Sequence, residues 1–274
     1  MQWLIQCTNL PDTHTLKLLE AVKERNLSFV GIGIRHFTHD IIDLDRADPK
    51  APSMFYGSTQ LIQMISEWKD FRPGAFYQKE WFDPRTPIGR RADLLNENLK
   101  EITVKELRSK WVDEPMFIKS IEPKWLTGMV IEPVKEDHDN WMIEQSELDG
   151  DALLVISPAQ NIETECRFFI VDNKIVAGST YRWLGARTIR RPIDTGLEQA
   201  AQEAIKKWMP SPNIVMDLCR LKNGQYRVVE YNSLNSSGFY NADVGAVVDA
   251  IETMGPIDQW KGRYFPKVEI SVRP

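Results

Sequence analysis

The sequence predicts an α+β protein: an N-terminal α/β domain, residues 1–109, followed by a mainly antiparallel β region, residues 110–274. Three observations lead there. Up to residue 70, short apolar runs alternate with helical patterns, the order expected of a largely parallel sheet. Beyond residue 112, β-rich runs dominate, and two of them reverse at dipeptides that favour tight turns, Asp172-Asn173 and Asn223-Gly224. Between the parts, "RPGAFYQKEWFDPRTPIGRRADLLNENLKE" is rich in Pro, Gly and Arg, and reads as a long functional loop or an interdomain connection followed by helix.

In the first part, "WLIQC" reads as a strand, "DTHTLKLLEAVKERN" as a helix, "LSFVGIGI" as a second strand and "MFYG" as a third. "STQLIQMISEWKD" is a helix capped by Ser58. The "GIG" at Gly31 to Gly33 is half of a dinucleotide fingerprint, and without a third glycine opening a helix it reads as part of a buried strand.

In the second part, "EPMFIKS" is a short strand with Lys119 at its end, "KWLTGMVIE" a turn and a strand, and "DALLVISP" an apolar run stopped by Pro158. "ETECRFFIVDNKIVAGSTYRW" is a hairpin with Glu165 and Arg167 on one face; a two-residue turn at Asp172-Asn173 adds Arg182 to that face. "TGLE" matches a capping box that starts a helix at Thr195. A last helix runs from about Asn241 to Met254.

The chemistry is concentrated in "IVMDLCRLKNGQYRVVEYN". A two-residue turn at Asn223-Gly224 sets Lys222 opposite Gln225 and therefore Asp217 opposite Glu230. Asn232 shares their face, while Met216, Leu218, Val229 and Tyr231 take the face turned to a core. Like charges opposite each other on a sheet are destabilising; at about 5 Å and an effective dielectric near 20 the repulsion is roughly 3 kcal/mol. A raised pKa, a nearby Arg or a hard divalent cation would relieve it. Two carboxylates and a carboxamide, with no His or Cys, favour Mg²⁺ over zinc. The alternative is that the acids are solvated or paired with Arg220 and Arg227.

Composition is that of a soluble globular chain: 42% hydrophobic, 27% charged, net charge -5. That balance gives no general attraction to nucleic acid or anionic membranes. Three separated cysteines make no disulfide framework and fit a reducing cytoplasm. The opening "MQWLIQCTNLPDTH" carries neither a signal-peptide nor a membrane-span pattern. The four histidines show no zinc spacing, and no Walker loop or Ser/His/Asp arrangement is evident.

Lys119 ending a strand, the apolar run Leu153 to Ser157, Glu165 with Arg167, a helix, and then Asp217 followed by "EYN" together resemble the nucleotide-binding region of the ATP-grasp superfamily, over roughly Val112 to Met254. The resemblance is closest to its small members from bacteria and their phages. It implies ATP held between two α+β subdomains, a carboxylate activated as acylphosphate, and an amine that displaces phosphate. Asp217, Glu230 and Asn232 would then hold Mg²⁺ on the ATP phosphates, and Lys119 would contact the α/β phosphates. Main-chain groups of Val155, Ile156 and Ser157 would meet the adenine edge, with Ser157 standing where many members carry an acid. Glu165 matches the acid after this hinge that supports nucleotide or metal.

Arg167 and Arg182 would neutralise the γ-phosphoryl group and the acylphosphate; as an alternative they are structural partners of Glu165. One departure is Val215, where peptide-forming relatives carry an Arg two residues before the metal Asp. "LGARTIRRPID" adds Arg187, Arg190 and Arg191, suited to an acidic acceptor, a carboxylate or a phosphate-bearing substrate, or else a solvated basic loop. The implied partners are ATP with carboxylate and amine substrates, namely an amino acid, peptide or protein, and no membrane. The rival readings are a non-catalytic nucleotide-binding module and a ligase modifying nucleic acid, the latter disfavoured by net charge.

Overall fold

The computed structural model describes residues 1–254, apart from 8–11, 36, 37, 39, 69, 110–112, 122–125, 127, 135–148, 189 and 190. His36, His39, His138 and Arg190 therefore lie outside the described residues. The chain forms two compact units, one holding Met1–Phe82 and the chain from Ile162 onward, the other Asp83–Asn161. The boundary expected near Ser109 falls inside the second unit. The physical reason is a shared core: Phe169, Val171 and Val215, from late in the chain, pack with Trp3, Ile5 and Met54 from its start.

In the first unit, strands β1 (Gln2–Gln6), β2 (Ser28–Ile34), β3 (Ile41–Ile42), β4 (Ser53–Tyr56) and β5 (Pro73–Gly74) form one sheet in the order β3-β2-β1-β4-β5. It is parallel except at β3. Helix α1 (Thr13–Glu24) is capped by the Asp12 carboxylate and α2 (Thr59–Ser66) by the Ser58 hydroxyl, each accepting a first-turn N–H that has no helical partner.

The second unit contains β6 (Lys100–Thr103), α3 (Val104–Arg108), β7 (Met116–Ser120), β8 (Met129–Ile131) and β9 (Leu153–Pro158), with sheet order β6-β9-β7-β8. Its own core holds Ile102, Leu107, Ile118 and Leu154. The three short strands β3, β5 and β6 carry too few residues to show a period in the sequence.

The chain then re-enters the first unit with β10 (Ile162–Val171), β11 (Lys174–Trp183), β12 (Ala186–Arg187), α4 (Thr195–Lys207), β13 (Ile214–Leu221), β14 (Tyr226–Asn232) and α5 (Val244–Glu252). These strands make a sheet in the order β12-β11-β10-β13-β14. The cap of α4 is Asp194, which accepts the Gly196 N–H; Thr195 is the first helical residue, so the predicted Thr195 capping box is not the one used. Among the described residues, no helix is long and apolar enough to cross a membrane.

The registers of two hairpins position the site. Between β10 and β11, Asp172 and Asn173 both have positive φ, as a two-residue reversal requires. Two irregularities then each shift the pairing by one, bringing Arg182 directly opposite Glu165. Between β13 and β14 the connection has three residues rather than two, with Leu221 N–H donating to Gln225 O and Gly224 at φ 84°. A bulge between Asp217 and Leu218 restores the lost residue, so Asp217 does face Glu230. The expected core residue Val229 is displaced by this bulge: Val228 is 1% exposed and Val229 half-buried. Gly224→Ala is expected to cost about 1 kcal/mol, because the left-handed backbone there penalises a Cβ even in open space; a urea midpoint measurement checks this.

Candidate functional site

Register puts two charged rows side by side on one face of the second sheet of the first unit. One row runs Arg187, Arg182, Glu165, Cys219; the next, two residues along β10, runs Ser179, Arg167, Asp217, Glu230. Six of the eight side chains are ionisable acids or arginines, and their signs separate: arginines toward β12, carboxylates toward β14.

Asp217 is 1% exposed, and its carboxylate accepts two bonds from Arg167, from Nε at 2.9 Å and Nη2 at 2.8 Å. Arg167 Nη1 also donates to Gly238 O at 3.2 Å. Burial pushes the Asp217 carboxyl up from its ordinary value, opposed by the charge and hydrogen bonds of Arg167 and reinforced by Glu230 and Glu165. Burial alone would lower the Arg167 pKa; the Asp217 charge overrides it and holds the guanidinium above its ordinary value. The counter-charge of the acid pair is therefore Arg167. Arg220 and Arg227 do not serve: Arg220 pairs with Glu163 and Asp194, and Arg227 donates to Tyr226 O and Gln225.

Asn232 Nδ2 donates to Asp217 Oδ2 at 3.2 Å and to Glu230 Oε1 at 3.0 Å. Oxygens of both acids thus converge on one donor. Among the described residues no three His, Cys, Asp or Glu side chains group as metal ligands, so any third protein donor here is the Asn232 carboxamide. An all-oxygen set of this kind fits Mg²⁺ and not zinc.

Glu165 accepts from Tyr181 Oη at 2.6 Å and from Arg182 Nη1 at 3.1 Å. Arg182 therefore is a structural partner of Glu165, yet its side chain remains 45% exposed and can reach outward. Cys219, opposite Glu165, is no nucleophile: burial and the Glu165 charge push its thiol up to about 12, and burial pushes Cys166 up to about 11. On native protein at pH 8, iodoacetamide is expected to label half-buried Cys7 well before Cys166 or Cys219, as peptide mass mapping would record.

Sequence reasoning missed the packing around Arg167. Tyr181 and Tyr240 stack with centroids 5.0 Å apart, and the guanidinium lies 5.6 Å and 5.2 Å from their ring centres. Tyr240 has φ 52°, its carbonyl accepts from Lys17, and His14 Nδ1 accepts the Phe239 N–H at 3.2 Å. The only sequence signal was the "NSSGFY" run after the acid strand. Asn235 in that run is structural, bonding Phe55 O and the Phe76 N–H.

In the second unit, Lys119 on β7 stands directly opposite Val155 on β9, with Ser157 on the same face. Ile156 points the other way and packs against the core. The expectation that Val155, Ile156 and Ser157 offer free main-chain groups needs correction, because β9 has neighbours on both edges. Ile121 N–H donates to Leu153 O and Ala159 N–H to Pro115 O, and antiparallel alternation then bonds Val155 and Ser157 to β7 and Ile156 to β6. Main-chain groups outside both ladders begin at Pro158. Of the Arg90-Arg91 pair, Arg91 is buried and binds Asp93 through two bonds, of 2.7 and 2.9 Å, beside a cavity of about 280 Å³ lined also by Ile88, Leu94 and Glu97.

A family model described as an ATP-grasp domain, the third family of its clade, matches residues 35–251. Solved structures that share the fold include a RimK domain ATP-grasp protein from Sphaerobacter thermophilus (TM-score 0.59, 12% identity, covering 92% of this chain and 100% of that one). The D-cycloserine synthetase DcsG (TM-score 0.58, 11% identity, 91% and 98% covered) and the ATP-grasp ligase PsnB complexed with a minimal precursor (TM-score 0.56, 12% identity, 92% and 98% covered) are similar. No curated protein matches the chain. With the match spanning most of the chain and the same fold in these structures, the protein belongs to the ATP-grasp superfamily, in the third family of its clade.

Proposed function

We propose that this protein is an ATP-dependent, ADP-forming carboxylate-amine ligase. The observation that carries the reading is the convergence of Asp217 and Glu230 on one donor on the sheet face of an ATP-grasp fold. Solvated decoration does not account for two acids held together at a buried position with a matched arginine. Asp217, Glu230 and, with its amide turned over, Asn232 would hold Mg²⁺. The metal would supply charge stabilisation on the transferring phosphoryl group.

The chain's own residues do the positioning. Lys119 would meet the α/β phosphates as a point charge. Adenine would contact the end of β9, with Ser157 and the Pro158 carbonyl in place of the interior hinge groups. Arg182, with its exposed guanidinium, would lie against the phosphoryl oxygens, and Glu165 with Tyr181 fixes its direction. Arg167 would join it once the metal takes over as counter-charge of Asp217. Val215, where related peptide-forming ligases carry Arg, is fully buried in the core and supplies no cation, so the load falls on Arg182 and Arg167. A carboxylate would attack the γ-phosphorus to give an acylphosphate and ADP, and an amine would then displace phosphate. Catalysis of this kind rests on orientation and electrostatics.

The test is an ATP assay against pooled amino acids, peptides and proteins, read by mass spectrometry. ADP formed together with a condensed product is the expected result. AMP as product, or nucleotide binding with no turnover on any acceptor, would count against a ligase and for a binding module.

A further inference from the structure

The proposed reaction uses the acidic end of the charged face; its basic end has no role yet. There Arg182 on β11 stands directly opposite Arg187 on β12, a like-charge pair that strand pairing disfavours. The turn joining them is Leu184-Gly185, with φ of 48° and 80°, and the left-handed region is uncommon for leucine. The hairpin is nevertheless tied down. Leu184 N–H donates to Glu163 O at 2.7 Å and Thr188 N–H to Tyr181 O at 3.0 Å. On its opposite face, the Arg191 guanidinium covers the Trp183 ring at 3.7 Å. Two arginines are thus fixed side by side on the functional face instead of drifting on a loop. Arg182 has Glu165 beside it, whereas Arg187 is exposed and has no ion-pair partner among the described residues.

Distance decides which anion this is for. Strands lie about 4.8 Å apart, so Arg187 starts three strands, roughly 14 Å, from Asp217, farther than an arginine side chain spans. A phosphoryl group held at Asp217 and Glu230 is out of its reach, so Arg187 serves a separate negative group. Nucleic acid is disfavoured by the chain's net charge of -5.

We propose that Arg187, paired with Arg182, binds a second carboxylate of the substrate, distinct from the one that is activated, so that the protein selects substrates with two acidic groups. The inference rests on the ligase reading for what happens to the first carboxylate. The second is borne either by a free dicarboxylic acid or by an acidic side chain of a peptide. Guanidinium suits it because the fork donates two bonds in the plane of a carboxylate.

Calorimetric titration of the full chain tests this with four probes: glutarate, its diamide glutaramide, N-acetyl-Glu-Glu-Glu-amide and the corresponding Gln peptide. At least one acid should bind tenfold or more tightly than its neutral counterpart; which one tells the source. Arg187→Gln should erase that preference, Arg187→Lys should recover part of it, and Mg-AMPPNP affinity should stay within twofold in both. Equal binding of acid and neutral probes to the native chain, acid binding unchanged in Arg187→Gln, or displacement of the acid by an oligonucleotide in preference to a Glu peptide would each overturn the proposal. Acid binding through Arg187 in a chain that fails to bind Mg-AMPPNP would sink the ligase reading and leave the anion seat standing.

Discussion

Asp217→Asn is expected to cut turnover by about 10²–10³-fold or more and to destabilise the protein by about 3–5 kcal/mol. Both effects have one origin. The substitution removes the buried carboxylate that a metal would share with Glu230, and it leaves Arg167, only 11% exposed, without its counter-charge. An unpaired guanidinium there loses the Asp217 oxygens at 2.8 and 2.9 Å and keeps the Gly238 carbonyl at 3.2 Å. Urea unfolding of the purified variant, beside its ATP turnover, separates the two losses. A variant as stable and as active as the native protein would show that Asp217 neither balances Arg167 nor serves the reaction.

Arg167→Gln is expected to give the opposite imbalance: a native state weakened by about 3 kcal/mol and rescued in part by Mg²⁺. Without the guanidinium, Asp217 and Glu230 face each other across the ladder with roughly 3 kcal/mol of repulsion at about 5 Å. A divalent cation bound to both acids supplies the missing charge and, by binding the folded state preferentially, restores stability by mass action. The native protein, whose acid already has Arg167, should respond to Mg²⁺ less. Urea midpoints in excess Mg²⁺ and in chelator give the comparison. Equal midpoints for the variant in both buffers would mean that the acids do not share a cation.

How far the sequence reached can be judged at these residues. The facing of Asp217 and Glu230 was legible from the Asn223-Gly224 reversal, but through two errors that cancel. The turn has one more residue than a tight reversal, and the bulge beside Asp217 takes it back. Bulges depend on how the sheet twists over its core, which local sequence does not encode. The same limit hid the place of β9. Its apolar run predicted a strand, but only the tertiary pairing with both β6 and β7 shows that Val155 to Ser157 have their main-chain groups engaged. The bond between Arg167 and Asp217 was open to the sequence in principle, since a neutralising Arg was one of the remedies named. Finding which arginine required the pairing of β10 with β13, fifty residues apart in the chain. The return of the chain to the first unit at Ile162 is likewise a matter of shared core, and a composition shift near Ser109 carries no trace of it.

The most direct measurement is Mn²⁺ binding, followed by electron paramagnetic resonance in the presence of ATP, with Mn²⁺ standing in for Mg²⁺. ATP is expected to tighten Mn²⁺ binding to the native chain, and Glu230→Gln to weaken the ternary complex by about tenfold to a hundredfold while the variant stays folded. Mn²⁺ affinity that is the same in the native chain and the variant, with ATP present, would contradict a metal seat shared by Asp217 and Glu230.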